Sequence, residues 1–160
     1  MRDYGNAMAP LNAFLFLQGL ETISLRMDRT VQNALGIAQW LESRDDIEYV
    51  SYPGLESSPY HTLANKYLKR GYGGVLTFKV GKDIADKIVN NVKIIRHVAN
   101  IGDAKTLIIH PSSTTHEQLS LEEQARSGVE PGLLRLSVGF EHIDDIKADL
   151  EQAFAAAKAE

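Results

Sequence analysis

Cysteine is absent from the 160 residues. Without thiols, disulfide frameworks, zinc ribbons, iron–sulfur clusters and thiol nucleophiles are all excluded. Long apolar runs are missing too, and the longest falls far short of the ~20 residues that a membrane-spanning helix requires. Charge of one sign is scarce. Seventeen basic against twenty-one acidic residues leave a net charge of −4, which argues against nucleic acid or an anionic membrane as the main partner. Near the start, Arg2 is cancelled by Asp3, and Asn12 and Gln18 bound the apolar stretch from Ala13 to Leu17. That is not the pattern of a secretory signal, and the protein is expected to be cytoplasmic.

Several chemical motifs are lacking as well. Neither the GxxxxGK(S/T) nor the GxGxxG phosphate loop occurs, and Gly71-Tyr72-Gly73-Gly74 has the wrong spacing and reads as a turn. The five histidines, His61, His97, His110, His116 and His142, include no HExxH and no pair at metal-binding helix spacing. Ser112 and Ser113, flanked by His110 and His116, lack the glycines of a nucleophile elbow. They read as a polar loop after a strand.

What is present is a globular composition, 44% hydrophobic and 24% charged, enough for one domain or one large piece of a bigger protein. From Pro10 to Ser43 the sequence reads as one long helix. Leu20, Ile23, Met27, Val31, Ala34, Ala38 and Leu41 recur at steps of three and four along one face expected to be buried. Such length suggests a helix running between two bodies. Short strands are expected over Tyr49–Tyr52, Val75–Val80, Thr106–His110 and Leu133–Val138. Helices are expected over Tyr60–Leu68, from Asp83 to Val92, after a Ser120/Glu123 capping box, and from Ile143 to Ala157. The fold class is α+β: one long helix, then a small mixed, mostly antiparallel sheet with helices on one face.

Two candidates for function come from the residues themselves. Arg135 interrupts Leu133-Leu134-Arg135-Leu136-Ser137-Val138, where alternation places it with Ser137 opposite the core face. It is either an arginine on a solvated sheet face or a rigidly mounted fork for bidentate capture of a carboxylate. Asn100-Ile101-Gly102-Asp103 is the second candidate, although Asn and Gly are also ordinary turn residues.

The string Asn12-Ala13-Phe14-Leu15, Gln18-Gly19-Leu20-Glu21-Thr22 and Tyr52-Pro53-Gly54-Leu55 resembles the Cys/Met-metabolism family of pyridoxal-phosphate enzymes. Asn100 to Lys105, His110-Pro111 through Thr114-Thr115-His116, and Leu134 to Glu141 match in the same order. The pattern is similar to that of the O-acetylhomoserine sulfhydrylase branch; Lys105, where cystathionine enzymes usually carry Glu, points the same way. The resemblance implies the C-terminal small domain of a fold-type-I transferase of methionine biosynthesis. Residues 1–43 would be the connecting segment and long helix, and 44–160 the substrate-binding domain. It implies pyridoxal 5'-phosphate in the full-length enzyme and none bound to this chain alone, because no Ser-x-Thr-Lys occurs and the catalytic lysine domain is missing. On this pattern Arg135, Asn100 and Thr115 would bind the substrate α-carboxylate, with no catalytic residue in the chain. A small amino-acid substrate, the missing N-terminal domain and further copies of the full-length enzyme are the implied partners. The alternative is a stand-alone, non-catalytic domain binding a ligand or a protein.

Overall fold

The computed structural model describes residues 4–5 and 7–159. Arg2 and Asp3, whose charges bear on the expected lack of a leader, lie outside the described residues. Twelve elements follow one another: α1 (Pro10–Glu21), α2 (Ile23–Glu42), β1 (Tyr49–Ser51), α3 (His61–Tyr67), β2 (Val75–Lys79), α4 (Lys82–Asn91), β3 (Arg96–His97), β4 (Leu107–Ile109), a 3-10 turn (Pro111–Ser113), α5 (Leu121–Arg126), β5 (Leu133–Ser137) and α6 (Ile143–Ala159). The strands form one mixed sheet in the order β1-β2-β5-β4-β3. Every pairing is antiparallel except β3 with β4.

Side-chain alternation decides where the core lies. Leu76 and Phe78 of β2, Ile108 of β4, and Leu134 and Leu136 of β5 join one buried cluster with Ala34, Ile37 and Leu41 of α2, Ile88 of α4, and Leu150 and Phe154 of α6. Helices α2, α4 and α6 therefore cover one face of the sheet. The other face carries Thr77, Arg135 and Ile109 side by side, and next to them Val75, Ser137 and Leu107.

The single helix expected over Pro10–Ser43 is broken at Thr22, whose φ of −110° and ψ of 6° leave the helical basin. A β-branched residue tolerates this departure well, and the Arg26 guanidinium donates to the Gly19 carbonyl across the break. The stripe is also only half buried. Ala34, Ala38 and Leu41 are enclosed, whereas Leu20, Ile23 and Met27 stand 58%, 46% and 44% exposed. In α1 no residue is buried, although Leu11, Phe14, Leu15, Phe16 and Leu17 all lie there. A helix apolar on all sides is ordinarily surrounded by protein, and an open patch of this kind marks a contact surface.

Local causes explain the remaining details. The parallel strand β3, not expected from the sequence, is two residues long, too short to show alternation. Gly81 is the N-cap of α4, and Asp83 sits within the first turn. Ser137 shares the outer face with Arg135 as expected, yet it is buried, because the loop through Gly102 lies across it.

Candidate carboxylate-binding site

Strand β5 runs between β2 and β4, so Arg135 emerges from the middle of the sheet, opposite Thr77 on one side and Ile109 on the other. Mid-sheet backbone is held by hydrogen bonds on both edges, which fixes the direction in which the side chain leaves. Arg135 is half-buried. Its Nη2 donates to the carbonyl of Asn100 at 3.3 Å. Its Nε is buried without a hydrogen-bond partner, and among the described residues no carboxylate pairs with the guanidinium. An orphaned, desolvated donor on a cation costs free energy unless an acceptor arrives. The chemistry on offer is a planar cation with unused donors, suited to an anionic ligand.

Of the three residues expected at the site, two meet. Asn100 contributes its main-chain carbonyl, while its side-chain Oδ1 accepts from the amide of Ile101. The amide side chain thus shapes the turn. Thr115 hydrogen-bonds neither of them; its hydroxyl pairs with His116 Nδ1 at 2.9 Å. Its loop is nevertheless tightly built around Gln124 of α5, buried in the fold. The Gln124 amide nitrogen donates to the carbonyls of Ser112, His116 and Leu119, and its oxygen accepts from Ser112 Oγ at 2.6 Å.

The serine–histidine arrangement is a structural knot. Ser113 Oγ donates to Asp86 Oδ1 at 2.8 Å, and His110 Nδ1 faces both Asp86 and Ser113, at 2.6 and 2.9 Å. The serine proton is thus committed to a carboxylate and not to an imidazole base, the reverse of what nucleophile activation needs. Burial pushes the Asp86 carboxyl up, but hydrogen bonds from Ser113 and His110, with the charges of His110 and His97, outweigh it and hold the group below its ordinary value.

Sequence reasoning missed the residues that shape this surface from behind: Gln124, Thr106, Asn33 and the side chain of Glu141. Each is a single polar residue in an otherwise unremarkable segment, and no periodicity betrays a buried hydrogen-bonding partner many residues away. Expected features that do appear include the Ser120/Glu123 capping box.

The residues present do not by themselves fit a pyridoxal group. No lysine is among the buried residues, and the lysine amines with hydrogen bonds turn elsewhere: Lys69 to Asn65, Lys79 to Glu130, and Lys158 to Asp46.

Comparison with known proteins supplies the context. A family model described as Cys/Met metabolism PLP-dependent enzyme matches residues 1–155. The homocysteine synthase of Schizosaccharomyces pombe is 55% identical over 159 residues, covering 98% of this chain and 37% of that protein. O-acetyl-L-homoserine sulfhydrylase 1 of Thermus thermophilus is 50% identical over 157 residues, with 97% and 37% coverage. A crystal structure assigned to an O-acetylhomoserine (thiol)-lyase of Campylobacter jejuni, which carries a pyridoxyl-lysine monophosphate, superposes with a TM-score of 0.86. It is 46% identical and is matched over 96% of this chain and 37% of its own. The chain therefore spans about 37% of the length of these relatives.

Proposed function

The chain belongs to the Cys/Met metabolism PLP-dependent enzyme family, and from that premise we propose that it is the substrate-gripping, C-terminal part of an O-acetylhomoserine sulfhydrylase. The whole enzyme would convert O-acetylhomoserine and sulfide to homocysteine and acetate, in methionine biosynthesis. Residues 44–160 serve as the substrate-binding domain and residues 1–43 as the connection to the catalytic domain. Exposed α1 and the uncovered first half of α2 pack against that domain, within a homo-oligomer of the full-length enzyme.

The observation that carries this reading is the half-buried Arg135 with an unpaired donor and, among the described residues, no ion-pair partner. It grips the α-carboxylate of the amino acid through two parallel N–H···O bonds, so that the reacting end is presented in one orientation. Bond-making at the substrate belongs to the pyridoxal group and the residues around it. Thr115 joins the same pocket on the strength of the family pattern, and Asn100 acts through its carbonyl. Nothing in the arrangement favours a stand-alone binding domain, since the relatives matched across nearly the whole chain are synthases and sulfhydrylases.

Two measurements test this. The full-length protein is expected to release acetate and form homocysteine from O-acetylhomoserine and sulfide; inactivity with that pair alongside cleavage of cystathionine would overturn the assignment. The 160-residue chain mixed with pyridoxal phosphate and borohydride is expected to show only scattered, partial lysine labelling. Full occupancy at one lysine would place the aldehyde-bonding amine in this chain after all.

A further inference from the structure

The position of the Arg135 head group is set by a loop that has little reason of its own to stay in place. An arginine has four side-chain torsions, and the strand fixes only where the first one starts. Among the described residues, one hydrogen bond locates the guanidinium, and it goes to the carbonyl of Asn100. Residues 99–105, which carry that carbonyl, are all exposed, so apolar burial cannot hold them.

Hydrogen bonds hold them instead: two are internal to the loop, and two tie it to the end of β5 and the segment just after it. The amide of Gly102 donates to Ser137 Oγ at 3.4 Å, and the amide of Phe140 donates to the Ala104 carbonyl at 3.2 Å. At the loop's far end Glu141 takes the two donors of Thr106: Oε1 accepts the Thr106 amide at 2.7 Å and Oε2 accepts its hydroxyl at 2.8 Å. The same hydroxyl oxygen accepts the Gly139 amide at 3.0 Å. Asn33 of α2 locks the arrangement from behind, donating to the carbonyls of Gly139 and Glu141 at 3.1 and 2.9 Å. Gly139 has no room for a side chain, since a Cβ there would stand 2.4 Å from both the Ala104 carbonyl and a Glu141 oxygen.

Glu141 has no cationic partner among the described residues. Its charge is spent on an amide and a hydroxyl, and a charged acceptor makes those two bonds about twice as strong as neutral ones would be. We propose that Glu141, acting through Thr106, is a positioning residue for substrate binding: it clamps the 99–105 loop so that the Asn100 carbonyl aims the Arg135 guanidinium at the substrate carboxylate. This deepens the carboxylate-site reading above and rests on it.

The test is steady-state kinetics of the full-length enzyme with O-acetylhomoserine. Glu141→Ala is expected to raise KM for that substrate about tenfold, the effect of one lost charge-assisted hydrogen bond transmitted to the site, with kcat changed less than about threefold. KM for sulfide and the cofactor absorbance are expected to stay at wild-type values. Glu141→Gln keeps one acceptor oxygen and is expected to restore KM to within about threefold. If the alanine variant does not fold, Thr106→Val, which lacks the hydroxyl bridging Glu141 and Gly139, carries the test with the same rise in KM expected, and a KM identical to wild type in whichever of the two variants folds overturns the proposal. In the double variant Arg135→Ala/Glu141→Ala, KM is expected to match that of Arg135→Ala alone, because both act through one guanidinium; simple multiplication of the two effects overturns the linkage. Should Arg135→Ala itself leave KM unchanged, the carboxylate reading fails. Should Arg135→Ala raise KM while Glu141→Ala lowers only thermal stability, the positioning role alone fails.

Discussion

Replacing Arg135 by alanine in the full-length enzyme is expected to weaken the grip on the amino-acid substrate by about 2–5 kcal/mol, the usual cost of removing one member of a desolvated charge pair. That corresponds to a fall in kcat/KM of about thirtyfold to several thousandfold. The size follows from geometry. The guanidinium leaves a central strand, opposite Thr77 and Ile109, and no acidic residue among those described competes for it. Lysine at the same position is expected to recover only part of the loss, because an ammonium is a point charge and cannot form two parallel bonds. Cofactor absorbance should not change in either variant, since no described lysine is buried and the lysine amines with hydrogen bonds turn elsewhere. Wild-type kinetics in Arg135→Ala would make this an arginine on a solvated sheet face.

The second large effect is expected on stability. Asp149 of α6 is 4% exposed, and its carboxylate accepts the main-chain amides of Lys93, Ile94 and Ile95, each at 2.8 Å to one oxygen or the other, together with the side chain of Gln152. These amides follow α4 and lead into β3, where the chain turns with no helix or sheet partner for them. Asp149→Ala would leave three donors without an acceptor. The expected loss is about 3–5 kcal/mol, since each hydrogen bond to a charged group contributes about 1.5–3 kcal/mol and water can reach some of the exposed amides. Asp149→Asn, with one acceptor oxygen, should lose about 1–3 kcal/mol. A denaturant midpoint that falls while the m-value holds would report this; a shift below ~1 kcal/mol would mean that water replaces the carboxylate. By comparison the exposed Arg126–Glu122 pair should contribute little, as solvated pairs on a helix do.

Periodicity and turn chemistry were enough to reveal most of the elements. Alternating Leu76 and Phe78, and Leu134 and Leu136, showed which face of each strand was core, because a pleated strand offers only two faces. The capping box at Ser120 was equally plain, since it depends on neighbours within a few residues. The break at Thr22 was not, because the apolar spacing runs through it undisturbed. Nor was the exposure of Leu20, Ile23 and Met27, since a stripe declares that a face seeks burial and not what covers it.

The candidate site divides along the same line. Arg135 stood out on its own, a charge set among leucines, and its strand placement follows from local pattern alone. Carboxylate binding is one of two readings of that pattern, and the family resemblance with the unpaired Nε is what supports proposing it. The sequence by itself determined most of the elements, the core faces of the strands and the family. Only the tertiary structure decided that Asn100 offers its carbonyl, that Ser137 lies beneath Gly102, and that Glu141, Thr106 and Asn33 tie the loop down. The reason is physical: apolar burial repeats with the period of the backbone and leaves a trace in one dimension. A buried hydrogen bond joins two residues of any separation, 108 positions apart for Asn33 and Glu141, and leaves none.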